Sequence, residues 1–211
     1  DFIDPALKAY CEQFTSSEPA VLQEISLETH RKVLYPRMLS GHLQGRMLAT
    51  LSRMHKPRRI LEVGTYTGYS AICMAEGLQA GGVLTTIEIN PEREDMIRAY
   101  FEKAGVADKM DLRIGEAAKI LDTLEGPFDM VFLDADKFNY IRYYEMILPK
   151  MPSGAVIMAD NMLWSGRVVD ENIQDKETLG LRSFVRHVAA DDKTEQVLLP
   201  VRDGIMLIIR K

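Results

Sequence analysis

Two cysteines are all that this chain of 211 residues contains. Cys11 and Cys73 stand far apart, with no C-x-x-C and no Cys/His spacing, which excludes a disulfide framework and a zinc finger and fits a reducing cytoplasm. No apolar run approaches the roughly 20 residues that cross a bilayer. The opening Asp1-Phe2-Ile3-Asp4-Pro5 is too polar for the apolar core of a secretory signal, so a soluble protein with no membrane partner is expected. Positive charge is also scarce: 26 Lys and Arg face 31 Asp and Glu, for a net charge of -5, and the basic residues are scattered rather than gathered in a stripe. That argues against nucleic acid as a partner. The sequence has no internal repeat and no low-complexity segment.

What is present is apolar mass in a regular rhythm. A hydrophobic content of 46% is ample for one continuous core, so a single domain over residues 1–211 is expected, with a helical segment at 1–57 and a sheet core at 58–211. Short aliphatic runs at 59–63, 83–89, 110–114, 129–134 and 155–159 read as strands. The stretches at 69–78, 91–104, 116–124, 139–148 and 177–189 read as helices, with Pro91 suited to a first helical turn. Strand-helix-strand repetition implies right-handed crossovers and a doubly wound α/β parallel sheet covered on both faces. The last two apolar runs, 196–201 and 205–209, are separated only by Arg202-Asp203-Gly204, too short for a parallel crossover, and predict a closing antiparallel hairpin. Before residue 58, polar breaks at Ser16-Ser17-Glu18-Pro19 and at Tyr35-Pro36 divide a helical prelude.

Chemistry concentrates at the ends of these strands. Ile60-Leu61-Glu62-Val63-Gly64-Thr65-Tyr66-Thr67-Gly68-Tyr69-Ser70 is a strand running through a glycine turn into a helix. Gly64 and Gly68 allow close approach of a nucleotide-like ligand, the helix start offers N–H groups, and Ser70 offers a hydroxyl donor. The spacing is G-x-x-x-G rather than G-x-G-x-x-G, and Thr65, Tyr66 and Thr67 are bulky for a pyrophosphate cradle, so a smaller ligand is expected. Glu88, ending the second strand, is placed to accept hydrogen bonds from two ribose hydroxyls. The alternative is a structural glycine turn and a solvated glutamate.

Two further strands end in charge, at Asp134 and at Asp160-Asn161. On neighbouring strands roughly 5 Å apart these side chains would converge, and two carboxylates that close repel unless a cation lies between them. Three oxygen donors with no Cys or His nearby suit a hard divalent ion, Mg2+ first, with Ca2+ or Mn2+ as rivals. Lys137 is the local proton acceptor, since partial burial and a nearby cation lower a lysine pKa. The alternatives are helix-capping acids and a surface lysine.

From about Met38 to Lys211 the chain resembles the cation-dependent S-adenosylmethionine O-methyltransferases, the family of catechol and caffeoyl-CoA O-methyltransferases. The likeness rests on 62–70, on Asp134-Ala135-Asp136-Lys137 with Asn139-Tyr140, on Asp160-Asn161-Met162-Leu163-Trp164-Ser165-Gly166, and on Asp203-Gly204. It implies a seven-stranded, Rossmann-like class I methyltransferase sheet with N-terminal helices and a closing hairpin. It also implies that Glu62, Gly64, Tyr69 and Ser70 face the methionine part of the cofactor and that Glu88 holds its ribose. By the same likeness Met38 and Ser40 line the cofactor, Glu116 and Ala117 lie near its adenine, and Asp134 serves cofactor and metal alike. Asp134, Asp160 and Asn161 map onto the metal ligands, Lys137 onto the base, and Trp164 onto a position beside a small aromatic diol, its alternative being a core or lid residue. A homodimer is implied too. The segment 167–176 is short, acidic and free of aromatics where plant members carry a proline-rich recognition insert, which argues against a coenzyme A ester. His42, near the cofactor's expected way in, reads as a surface histidine.

Two rival readings use the same features. A nicotinamide-dependent dehydrogenase would share the turn and the ribose acid, but the glycine spacing and the lack of Tyr-x-x-x-Lys oppose it. A metal-independent or non-catalytic S-adenosylmethionine-binding protein is the other.

Overall fold

The computed structural model describes residues 3–211; Asp1 and Phe2, with which the expected helical prelude begins, lie outside the described residues. Contacts cluster into two units, Asp4–Glu116 and Ala117–Lys211.

The first unit opens with α1 (Pro5–Gln13), α2 (Ala20–Lys32) and α3 (Gly41–His55). The Asp4 carboxylate caps α1 by accepting from Ala6 N at 2.8 Å, with Pro5 in the first turn, where a missing N–H costs nothing. The breaks read from the sequence fall between these helices: Tyr35 takes a left-handed φ of 60 before the short 3-10 turn Pro36–Met38. There follow β1 (Arg59–Val63), α4 (Tyr69–Ala75), β2 (Val83–Glu88), α5 (Glu94–Lys103) and β3 (Met110–Ile114). All three strands are parallel, with Val63 opposite Ile87 and Glu88 opposite Ile114.

Two helix boundaries differ from the expected ones by more than one residue. The stretch from Pro91 begins as a 3-10 turn, Pro91–Arg93, before α5 starts at Glu94. Helix α4 stops at Ala75 rather than reaching residue 78. A Cβ on Gly77 would lie 2.1 Å from the carbonyl carbon of Ser52, so the backbone of α3 passes directly against the end of α4. Hydrophobic periodicity carries no information about that crossing.

The second unit holds α6 (Ala117–Thr123), β4 (Met130–Leu133), α7 (Tyr140–Ile147), β5 (Val156–Asp160), α8 (Lys176–Ala190), β6 (Thr194–Leu199) and β7 (Ile205–Arg210). Strands β4 and β5 are parallel, Leu133 opposite Ala159, while β5–β7 and β7–β6 are antiparallel, as the short final link requires. The sheet order is β3-β2-β1-β4-β5-β7-β6. All four residues of β4 and nearly all of β1 and β5 are buried, the pattern of strands covered on both faces; β6 is largely exposed along one edge. No helix among the described residues is long and apolar enough to cross a membrane.

Candidate active site

The glycine turn is built from inside the fold. Gly64 N and Thr65 N both donate to Ile87 O, at 3.0 and 3.1 Å, which ties the turn to the end of β2. Gly68 has φ 89, and a Cβ there would sit 3.0 Å from the Phe101 ring, so glycine answers both a left-handed backbone and a close approach by α5. Thr65, Tyr66 and Thr67, bulky for a cradle, turn inward and are buried. Tyr66 reaches the prelude through its phenol, 3.2 Å from both Leu34 O and Tyr35 O, and the Thr29 hydroxyl lies 3.2 Å from that of Thr67.

Glu62 is completely buried, and its carboxylate accepts from Ser70 Oγ at 2.6 Å and from Thr86 Oγ1. The expected role of Ser70 as a hydroxyl donor therefore needs correction: that proton is committed to Glu62, and the hydroxyl retains only acceptor capacity. Tyr69 is buried with its phenol on Glu18 of the prelude, and burial together with Glu18 pushes its pKa up, so it stays a phenol. What Tyr69 offers at the turn is backbone.

Glu88 is almost wholly buried. One carboxylate oxygen accepts from Tyr66 N at 2.8 Å; the other accepts from Asn90 N at 2.9 Å and pairs with Arg93 Nη1 at 3.0 Å. The Arg93 guanidinium also lies 4.7 Å from the Tyr66 ring centre. A carboxylate has about four acceptor positions. Three are in use, so a ligand that needs two of them requires Arg93 to yield or to share. Sequence reading missed both Arg93 and the Tyr66 amide, although an arginine five residues after a buried acid is a local signal. Gly115 N donates to Glu88 O at 2.8 Å, which brings the turn before exposed Glu116 and buried Ala117 beside the end of β2. Met38 is half-exposed and Ser40 buried, on either side of the step from the 3-10 turn into α3. His42 is explained by its ring nitrogen 2.8 Å from Ser16 O, a tie between α3 and the link after α1.

In the second unit the β4/β5 register puts Asp134 and Asp160 on neighbouring strand ends, one residue beyond the Leu133–Ala159 pair. Lys137 is only 6% exposed, not a surface lysine. Its Nζ donates to Asp134 Oδ1 at 2.8 Å and to the Tyr140 phenol oxygen at 2.7 Å. The Tyr140 hydroxyl turns its own proton toward Leu133 O, 3.0 Å, and Asp160 O, 3.3 Å. Burial, then Asp134 and Asp160, push its pKa well up, so it remains a donor. The Lys137 backbone N donates to Glu177 on α8 at 2.9 Å, and a Cβ on Gly180 would lie 2.7 Å from Phe138 Cα, so α8 holds the turn from outside. Asp136 is spent structurally, on the Tyr143 hydroxyl at 2.6 Å and the Asn139 amide, which separates it from Asp134.

Asp160 is fully buried; its Oδ1 accepts from Asn161 N at 2.7 Å, and Arg202 approaches its Oδ2 to 3.8 Å. The two carboxylates thus each have a cationic side chain of the chain's own, Lys137 and Arg202, which qualifies the expectation that only a bound cation relieves their repulsion. Among the described residues no three His, Cys, Asp or Glu side chains group as a metal site; the donor set is two carboxylates and the Asn161 amide. Hard oxygen donors on rigid strand ends fit a Mg2+-like ion that keeps some of its water. Trp164 is partly buried at a left-handed φ of 47, and its indole N–H is buried with no hydrogen-bond partner.

Comparison with known proteins gives this geometry a context. The sequence matches the O-methyltransferase family model over residues 12–211. It is 37% identical to caffeoyl-CoA O-methyltransferase 1 of Zea mays over 205 residues, 92% of this chain and 79% of that protein. It is 35% identical to catechol O-methyltransferase of Niastella koreensis over 177 residues, 80% of each. Among solved structures it superposes on the O-methyltransferase TomG of Streptomyces achromogenes, in complex with SAM, with a TM-score of 0.91 at 31% identity over 98% of this chain and 96% of that one. The O-methyltransferase of Bacillus cereus in complex with SAH gives 0.90 at 31% identity over 98% and 97%. With a buried acid closing β2, a glycine turn after β1, and likeness over nearly the whole length, the chain belongs to the O-methyltransferase family and is an O-methyltransferase.

Proposed function

We propose that this enzyme transfers the methyl group of S-adenosylmethionine to one hydroxyl of a small catechol-like or ortho-diol aromatic substrate, with a divalent cation, Mg2+ foremost. The observation that carries the reading is the buried Lys137 side chain, its Nζ held by Asp134 and Tyr140 beside strand ends that also present Asp160 and Asn161. A divalent cation on those oxygens would supply the charge that makes a bound hydroxyl acidic and orients two adjacent oxygens. As the neutral amine, Lys137 keeps its two N–H groups on Asp134 and Tyr140 and receives the hydroxyl proton on the Nζ lone pair. For the cofactor, Gly64 and Gly68 allow its close approach, Glu88 takes the ribose, Glu62 sets Ser70, Met38 and Ser40 line it, Glu116 and Ala117 border its adenine, and Asp134 serves it as well as the metal. Trp164 offers its indole face and its unpartnered N–H to the acceptor.

A small acceptor is favoured over a coenzyme A ester by segment 167–176, which is tied to itself. Arg182 donates to the carbonyl oxygens of Val168 at 2.8 Å, Ile173 at 2.9 Å, Arg167 at 3.0 Å and Asp170, and Arg167 pairs with Asp175 at 2.8 Å. Against the cation, Arg202 and Lys137 beside the acid pair favour a metal-independent second reading. We also propose that the chain acts as one catalytic domain, as a homodimer in a reducing cytoplasm, where its free Cys11 and Cys73 persist; sedimentation equilibrium showing a monomer at assay concentration would remove the dimer.

The test is methyl transfer from S-adenosylmethionine to a panel of catechols, caffeic acid and a coenzyme A ester, with Mg2+ and again with EDTA. Turnover on small diols that chelation abolishes and Mg2+ restores is the expected result. Turnover indifferent to EDTA establishes the metal-independent reading instead, and turnover on the coenzyme A ester alone removes the small acceptor.

A further inference from the structure

We propose that Asp203, in the turn between β6 and β7, is a positioning residue that decides which end of the Asn161 side chain faces a cation; the inference rests on the cation reading above. The two ends of a carboxamide have nearly the same shape and opposite chemistry. A hard cation binds the oxygen and rejects the NH2 group. Asn161 therefore serves as a ligand only if something fixes its amide.

The fixing group is a carboxylate, which accepts hydrogen bonds and cannot donate them. Asn161 Nδ2 lies 3.3 Å from Asp203 Oδ2, so the NH2 end is turned to Asp203 and Oδ1 is turned away from it. The reverse orientation would set an amide oxygen against a carboxylate. The other Asp203 oxygen, Oδ1, accepts from Ser165 N at 2.6 Å, and Asp203 O accepts from Leu163 N at 2.8 Å. One residue thereby holds three points of the segment from Asn161 to Ser165, in which Asn161, Trp164 and Ser165 have left-handed φ values of 64, 47 and 53. Side chains rarely adopt that backbone region unaided. Gly204 completes the contact: Met162 N donates to its carbonyl at 3.0 Å, and a Cβ there would lie 2.8 Å from Leu163 N. The turn arrives at this place because β7 pairs antiparallel with β5, Ile205 opposite Asp160.

The experiment measures binding of Mn2+ to the full chain by the EPR signal of the free ion, which needs no turnover. Asp203→Asn places an amide where a carboxylate accepted two donors, so it satisfies Ser165 N or Asn161 Nδ2 but not both. An orienting partner of a metal ligand typically contributes 10- to 100-fold in affinity, and a loss of about that size is expected. The exchange variant Asn161→Asp/Asp203→Asn keeps the net charge and restores every partner: the new amide accepts from Ser165 N and donates to the new carboxylate, which has no wrong end. It is expected to recover affinity to within a few-fold of the parent. If the parent protein itself fails to take up Mn2+, the cation reading falls and this inference with it. If the parent binds and Asp203→Asn binds equally well, only the role of Asp203 is overturned. If the exchange variant, folded by circular dichroism, stays as weak as Asp203→Asn, the loss came from the loop and not from the amide, which also overturns it.

Discussion

Lys137 Nζ lies 2.7 Å from the phenol oxygen of Tyr140, and that phenol spends its own proton on backbone carbonyls at the ends of both β4 and β5. The tyrosine thereby fixes the lysine relative to two strands at once. Replacing Lys137 by Met should lower kcat by about 10²- to 10⁴-fold, the usual contribution of a positioned proton-transfer group. Tyr140→Phe should lower it by about ten- to a hundredfold, the scale of one hydrogen bond to a charged group. Steady-state kinetics with calorimetric cofactor binding checks both. A Lys137→Met enzyme at the parental rate would remove the base.

Asp160→Ala should abolish methyl transfer while affinity for S-adenosylmethionine, assigned to other residues, largely survives. Removing a fully buried carboxylate also leaves Arg202 without that partner, so the melting temperature should fall. Full activity of this variant in metal-free buffer would defeat the metal role of Asp160.

For the cofactor, Glu88→Ala should weaken binding by about 1 to 3 kcal/mol through lost charged hydrogen bonds. Arg93→Ala tests the competition for the same carboxylate: cofactor affinity should hold or rise, because the guanidinium no longer occupies an acceptor position of Glu88. Unchanged affinity in Glu88→Ala would remove the ribose assignment, and a large loss in Arg93→Ala would make Arg93 a cofactor contact in its own right.

Burial pushes the Cys73 thiol up to about 12, against the opposing pull of the Arg46 guanidinium. The unfolded thiol ionises near its ordinary value of 9.0, so the unfolded state gains thiolate first as pH rises. Cys73 therefore contributes stability that is complete below pH 9 and lost between about 9 and 12. Melting temperature should fall over that range less steeply in Cys73→Ala than in the parent. At pH 8 a thiol reagent should label exposed Cys11 quickly and Cys73 only after denaturation. Two thiols reacting at one rate would show that Cys73 is reached in the native protein.

Sequence alone determined what is local in this protein. The bounds of β1 and β3, the sense of the final hairpin, the glycine turn after β1 and the acids ending β2, β4 and β5 follow from runs of apolar residues and the residues that interrupt them. Likeness to a family added Glu62, Trp164 and the 203–204 pair without saying what they touch. Tertiary structure decided the partners. Ser52 crosses the end of α4 from 25 residues earlier (77 − 52), Arg202 and Asp203 reach Asp160 and Asn161 across 42 positions, and the Ser70 proton goes to Glu62 rather than outward. Periodicity reports which face of an element a residue occupies. A hydrogen bond needs two groups from separate segments within about 3 Å and aligned, and that is fixed only when helices and strands have packed.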